Sequence, residues 1–324
     1  MSSHSYHDFF FLLVIFFLLL LGFLGPVFWK IPQIQLNYKI FERNFGNISV
    51  NIDRLSQFNS NKNYLSSDQF NNKKNVSEWS ELVLNNVKTG VPVPRMYFPH
   101  IPRNISKYET NKKKSAFIAI LLPIALRGNE LVLEERNLMN IAFSTNNIYQ
   151  IEQLSKKYKV KNFKKINFSE LNRLELIKIK LELSKKIKKI PISMILAQAI
   201  IESGWGSSRF AQQGNALFGE WTWKSHTGIK PKENLDADFS VKNFKNLLDS
   251  VNSYILNLNS HAAYKDLRNF REEQNQIGKT VTGYEMSYFL EKYAEIGFEY
   301  VIKVTNMIKN NKLNEYEFSK LENF

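Results

Sequence analysis

"ILAQAIIESGWGSSRF", residues 195–210, sets a carboxylate where a buried helix would take another aliphatic. Ile192, Met194, Ile195, Leu196, Ala197, Ala199, Ile200 and Ile201 make the segment apolar on nearly every side, and Gln198 stands four residues before Glu202. Pro191 suits a first helical turn and Gly204 a stop, so the spacing predicts a helix of about three turns over 191–203. Glu202 then falls in its last turn. Apolar surroundings and the negative end of the helix dipole both favour the protonated carboxyl there. A carboxyl kept protonated near neutral pH is what general acid chemistry at a glycosidic bond requires. The alternative is a glutamate simply exposed to water where its helix ends.

Helical spacing of apolar residues extends on both sides of this segment. Helices are expected near 115–142, 148–158, 168–188, 245–259, 284–294 and 298–311. "FIAILLPIAL" at 117–126 is too short to span a bilayer and reads as a buried helix in spite of Pro123. Residues 214–243 break the pattern with Gly214, Gly219, Gly228 and Pro231, two tryptophans and the alternating "ADFSV", which predicts a loop or small β-hairpin. The prolines of "GVPVPRMYFPHIP" at 90–102 keep that stretch extended.

Towards the N-terminus the composition changes. "FFFLLVIFFLLLLGFLGPVFW", residues 9–29, holds no charge over 21 residues, enough to cross a hydrocarbon core of about 30 Å. Its apolar centre is long and no small-residue cleavage site follows, so an uncleaved anchor is expected, with Trp29 and Lys30 at an interface. Residues 42 to about 80 are rich in Asn, Ser and Lys and read as a tether.

The chain has no cysteine, which excludes disulfides, thiolate zinc sites and thiol nucleophiles. The five histidines show no metal-ligand spacing and no His-Glu-x-x-His; neither metal nor cofactor is expected. No nucleophile elbow supports a Ser-His-Asp triad. The net charge of +14 is concentrated in residues 151–190, which carry thirteen Lys/Arg against four Glu. The lysines of "LNRLELIKIKLELSKKIKKI" alternate with apolar residues as on the solvated face of an amphipathic helix. Neither a zinc finger nor an aromatic RNA-binding signature accompanies them, so nucleic acid is not the expected partner.

"QAIIESGWGSSRFA" followed by "GNALFGEWTW" resembles the catalytic segment of the bacterial peptidoglycan β-N-acetylglucosaminidases, glycoside hydrolase family 73, in its Bax-like branch. The likeness runs through "SVNSYILNLNSHAAYKDLR" at 250–268 and "KYAEIGFEYVIKVTNMI" at 292–308. Upstream it takes in "VPRMYFPHIP" and "FIAILLPIALRGNELVLEERNLM", so that residues 90 to 312 are covered. It implies a mainly α, lysozyme-like domain with a small β-hairpin lobe and a cleft, Glu202 as the acid and Tyr293 near it. It also implies peptidoglycan glycan strands as substrate, cleavage of the β-1,4 bond after N-acetylglucosamine, and a catalytic domain on the outer side of the cytoplasmic membrane. A muramidase or lytic transglycosylase acting on the same polymer, and a silent glycan-binding scaffold, remain alternatives.

A second carboxylate is sought in "KPKENLDADF", where Glu233 is preferred over Asp236 and Asp238; substrate assistance by the 2-acetamido group would dispense with it. Trp205, Phe218, Trp221 and Trp223 are candidates for stacking on sugar rings, Trp205 equally for core packing. Asn215 and His261 are expected in structural roles, tying down a loop and capping or packing a helix. The resulting order is a tail (1–8), a transmembrane anchor (9–29), a flexible linker (30–89) and a helical N-terminal region (90–150). A glucosaminidase domain (151–312) and a C-terminal tail (313–324) complete it.

Overall fold

In a computed structural model of the chain, residues 73–222, 228–230 and 238–323 are described; the expected anchor and most of the expected linker lie outside them. Ten helices occur among the described residues: α1 (Lys73–Thr89), α2 (Thr110–Ser144), α3 (Ile148–Lys157), α4 (Arg173–Lys186), α5 (Ile192–Ser203) and α6 (Arg209–Gly214), then α7 (Leu247–Ser260), α8 (Lys265–Gln276), α9 (Gly283–Ser287) and α10 (Phe298–Asn310). Between α6 and α7 lie β1 (Trp221–Thr222), β2 (Gly228–Ile229) and β3 (Ser240–Lys242), an antiparallel sheet in the order β1-β3-β2 with Val241 opposite both Trp221 and Ile229.

α2 is the axis of the core. Residues 116–129 are buried without interruption, so the helix is apolar all round because other elements surround it. By length and composition it could cross a membrane, but 89% of its most apolar window is buried inside the protein. Pro123 lies in that run. Having no N–H, it leaves the carbonyl of Ala119 without its helical donor. The indole Nε1 of Trp79 on α1 donates to that carbonyl at 3.0 Å. Gly128 permits the approach of α7: a Cβ there would stand 2.9 Å from side-chain atoms of Val251 and Ile255.

Trp79 also corrects the expected linker. Its last seventeen residues form α1, whose Val76, Trp79 and Val83 are buried in the core. The expected C-terminal tail is corrected too. Leu313 and Leu321 are buried, and Val93 forms a parallel bridge with Leu321. Residues 90–150 and 151–312 are therefore parts of one compact unit. The helix expected at 284–294 divides into α9 and a 3-10 turn, Glu291–Tyr293. α8, with "KDLRNFREEQNQ", escaped periodicity because it turns only a narrow face inward, Leu267, Arg268 and Arg271 being buried.

Candidate active site

α5 begins and ends as its residues dictate, with Pro191 as N-cap and Gly204 as C-cap at φ +57°. Pro191 supplies no side-chain cap. The carboxylate of Glu317, from beyond the expected end of the domain, does so instead. Its Oε1 accepts from Ile192 N at 2.9 Å and its Oε2 from Ser193 N at 3.3 Å, with a further bond from the Ser193 hydroxyl. An anion at this end of the helix also suits the dipole. Every residue from Ile192 to Ile200 is buried.

A buried amide needs partners, and Gln198, with no exposed surface, has two. The Tyr254 hydroxyl of α7 donates to Gln198 Oε1 at 2.5 Å. Gln198 Nε2 donates to the Tyr300 hydroxyl of α10 at 3.0 Å. Tyr300 in turn donates to Glu202 Oε1 at 2.6 Å. One hydrogen-bonded line thus runs from α7 through α5 and α10 to the carboxyl of Glu202.

Glu202 itself is half-buried. Burial pushes its carboxyl above the ordinary glutamate value; the hydrogen bond from Tyr300 and the charge of Lys303 oppose that shift without cancelling it. The second oxygen, Oε2, lies toward Gly219, where a Cβ would stand 3.3 Å away. Gly219 has φ +62°, so both the conformation and the space favour glycine.

Tyr293 does not reach the carboxylate directly. Its ring stacks on Tyr300 at 5.2 Å and 11°, and its hydroxyl donates to the Phe218 carbonyl at 3.0 Å, next to Gly219. It braces the group that holds Glu202 and the loop that covers it. Phe218 corrects an expectation: it is 2% exposed and stacks on Tyr254 at 4.0 Å, leaving no ring face for a sugar. Trp205 turns its edge toward Phe117 at 6.1 Å and lies under Lys114 Nζ at 5.2 Å, packed against the core. Trp221 is 47% exposed and rests on Phe239 at 4.3 Å and 7°. Glu233 and Trp223 lie outside the described residues, as does Asp236; Asp238 is exposed.

Sequence reasoning missed Tyr300, Tyr254 and Glu220. The four-residue spacing of Gln198 and Glu202 was the available signal for a polar line on α5, but nothing local told which tyrosines would meet it. Glu220 Oε2 accepts from Lys242 Nζ at 2.7 Å and from the Ser253 hydroxyl at 2.9 Å. Its side chain is 9% exposed, and its Oε1 is buried with no hydrogen-bond partner among the described residues. The signal was an acidic residue between Gly219 and an aromatic strand. A separate cavity of about 300 Å³ between α2 and α7, lined by Glu134, Glu135 and Asp249 among others, contains neither Glu202 nor its partners.

The structural roles expected of two polar residues are met. Asn215 adopts a left-handed cap and donates to the Phe244 carbonyl at 2.9 Å. His261 Nδ1 accepts from Ala263 N at 3.2 Å. No three His, Asp or Glu side chains gather as metal ligands among the described residues.

Residues 178–313 match the family described as Glucosaminidase: Mannosyl-glycoprotein endo-beta-N-acetylglucosaminidase. Protein bax of Escherichia coli (strain K12) is 28% identical over 216 residues, covering 64% of this chain and 74% of its own length. No solved structure matches. The matched span starts inside α4 and takes in the catalytic-helix candidate α5, the sheet and α10; there the chain is similar to the glucosaminidase family, and its likeness to Protein bax reaches over most of its length.

Proposed function

We propose that the protein is a membrane-anchored peptidoglycan hydrolase that cleaves the β-1,4 bond after N-acetylglucosamine, with Glu202 as general acid. The observation that carries this reading is the carboxyl of Glu202, half-buried, raised by burial and, among the described residues, gripped through one oxygen only. Tyr300 occupies Oε1, so the transferable proton belongs on Oε2, on the side of Gly219. As the glycosidic bond breaks, that proton passes to the leaving oxygen and Glu202 becomes the anion. Tyr300 then donates to a full negative charge, where its hydrogen bond is strongest. A water oxygen replaces the leaving group at the anomeric carbon. Water activation falls to a carboxylate, Glu233 or Glu220, or the substrate's own acetamido oxygen assists. Trp221, with one face on Phe239, offers a surface for a sugar ring.

Anchoring through residues 9–29, with the catalytic unit facing murein outside the cytoplasmic membrane, belongs to the same proposal. It rests on the apolar stretch and on where this polymer lies.

Zymography of the parent protein and Glu202→Gln against murein tests the assignment. Clearing by the parent with loss in the variant is expected. A parent that clears nothing would favour a glycan-binding scaffold, and equal clearing would remove Glu202 from the chemistry. Mass spectrometry of the products reads the bond: a reducing-end N-acetylglucosamine supports the proposal. A reducing-end muramic acid or a 1,6-anhydromuramic product overturns the specificity in favour of a muramidase or lytic transglycosylase.

A further inference from the structure

α4 is apolar on two opposite sides. Ile179 and Leu183 are buried inward with Leu176 beside them. Leu174, Ile177 and Leu181 point the other way and are 69%, 45% and 60% exposed. Spacings of three and four residues align these three on one face, a stripe of large aliphatics that nothing among the described residues covers. The expected solvated face is thus only half polar.

Lys178 and Lys185 share that outer face; both are exposed and neither forms an ion pair among the described residues. The acids of the helix are engaged elsewhere. Glu175 closes a capping box with Asn172, and Glu182 pairs with Lys186 and accepts from Lys161 N. The surrounding stretch, 151–190, carries +9 of the chain's +14. The surface therefore combines exposed aliphatics with uncompensated lysines.

We propose that the outer face of α4 docks on an anionic lipid bilayer. Aliphatics that enter the boundary of the acyl chains, beside lysines whose stems lie along them and whose ammonium groups reach lipid phosphates, are the pattern of an interfacial helix. A second copy of the chain on this face is disfavoured by charge, since a two-fold contact would set Lys178 and Lys185 and the rest of the basic stretch against themselves. A protein partner's interface core would also exclude lysine rather than flank its aliphatics with it. The contact is distinct from the expected transmembrane anchor and does not depend on the hydrolase reading. It adds a second membrane attachment, one that answers to lipid charge and salt.

Because the chain lacks cysteine, Leu181→Cys and, as a control on α1, Leu82→Cys each take a single fluorescent probe in the full chain. Each labelled protein is reconstituted in phosphatidylcholine vesicles with and without phosphatidylglycerol, containing lipids that carry a quencher just below the headgroup. The probe at 181 is expected to be quenched in the anionic vesicles, far more than the probe at 82, and released by high salt. Lys178→Glu with Lys185→Glu is expected to abolish the difference while thermal unfolding stays unchanged, since both side chains are exposed. Equal quenching at 181 and 82 overturns the proposal, as does quenching indifferent to lipid charge. Shielding of the 181 probe from both lipid quencher and aqueous iodide assigns the face to another part of the chain or to a second copy, and also overturns it. Hydrolysis of soluble murein fragments is expected to be the same in the charge-reversed protein, so failure here and failure of the proposed activity are read separately.

Discussion

Glu202 carries the proposed chemistry, and its burial, opposed by the hydrogen bond from Tyr300, sets the pH at which it can act. Its carboxyl is raised by burial, so it remains protonated, and able to donate, up to a pH above the ordinary glutamate value; the proposed activity is expected to fall as pH rises through the raised value. Tyr300 donates to the carboxylate and so favours the anion. Tyr300→Phe is therefore expected to move the alkaline limb of the pH–rate profile to higher pH. It should also cost about 1–2 kcal/mol of stability, because Gln198 Nε2 loses its acceptor. A limb that stays in place or moves down in pH contradicts the arrangement. Glu220→Gln keeps the shape of the side chain and removes its charge. If Glu220 activates water, kcat falls by about a hundredfold with the melting temperature little changed, whereas Glu233→Gln leaves the rate intact; the opposite pattern assigns the role to Glu233. Gly219→Ala places a methyl 3.3 Å from Glu202 Oε2 at φ +62°. The backbone strain alone is expected to cost about 1–2 kcal/mol, and kcat should drop beyond what that loss explains.

At the scale of elements, α5 is an apolar rod held at its N-terminal end. Glu317 grips its first turn, and Gly283 lets α9 lie against it: a Cβ at 283 would come 2.2 Å from Ser193 Oγ and 2.5 Å from the backbone nitrogen of Met194. A backbone atom cannot give way as a side chain does. Gly283→Ala is therefore expected to destabilise by about 1–3 kcal/mol, measured by denaturant unfolding. Neutral behaviour would mean that α9 slides without cost. The ends of α5 also show the limits of local reading. Gly204 and the apolar run announced the helix and where it stops, while its N-terminal cap comes from a residue 125 positions away. Pro123 was legible as an exception inside α2; that Trp79 would repair the resulting gap was not, because side-chain partners forty residues apart leave no periodic trace.

For the whole molecule, the segment after α10 is structural. Removing residues 313–324 takes away Leu313, the Leu321 bridge to Val93 and the Glu317 cap together. A loss of about 4 kcal/mol or more is expected, seen as a drop in melting temperature of about 10 °C. Truncation that leaves melting unchanged would return 313–324 to the status of a loose tail.

The amino-acid pattern by itself determined that the unit is helical, that Glu202 ends a buried helix and that a loop or small β-hairpin follows, where the structure forms a three-stranded sheet. Helical periodicity, glycine stops and β-branched alternation act within a few residues and are written where they act. Tertiary packing alone decided that Tyr300 and Gln198 hold the carboxyl, that Phe218 is core, that Glu220 is a largely buried carboxyl with one oxygen unpartnered among the described residues, and that residues 73–89 and 313–323 belong to the fold. Burial and hydrogen-bond satisfaction depend on groups brought together from distant parts of the chain, and no single stretch of sequence contains them.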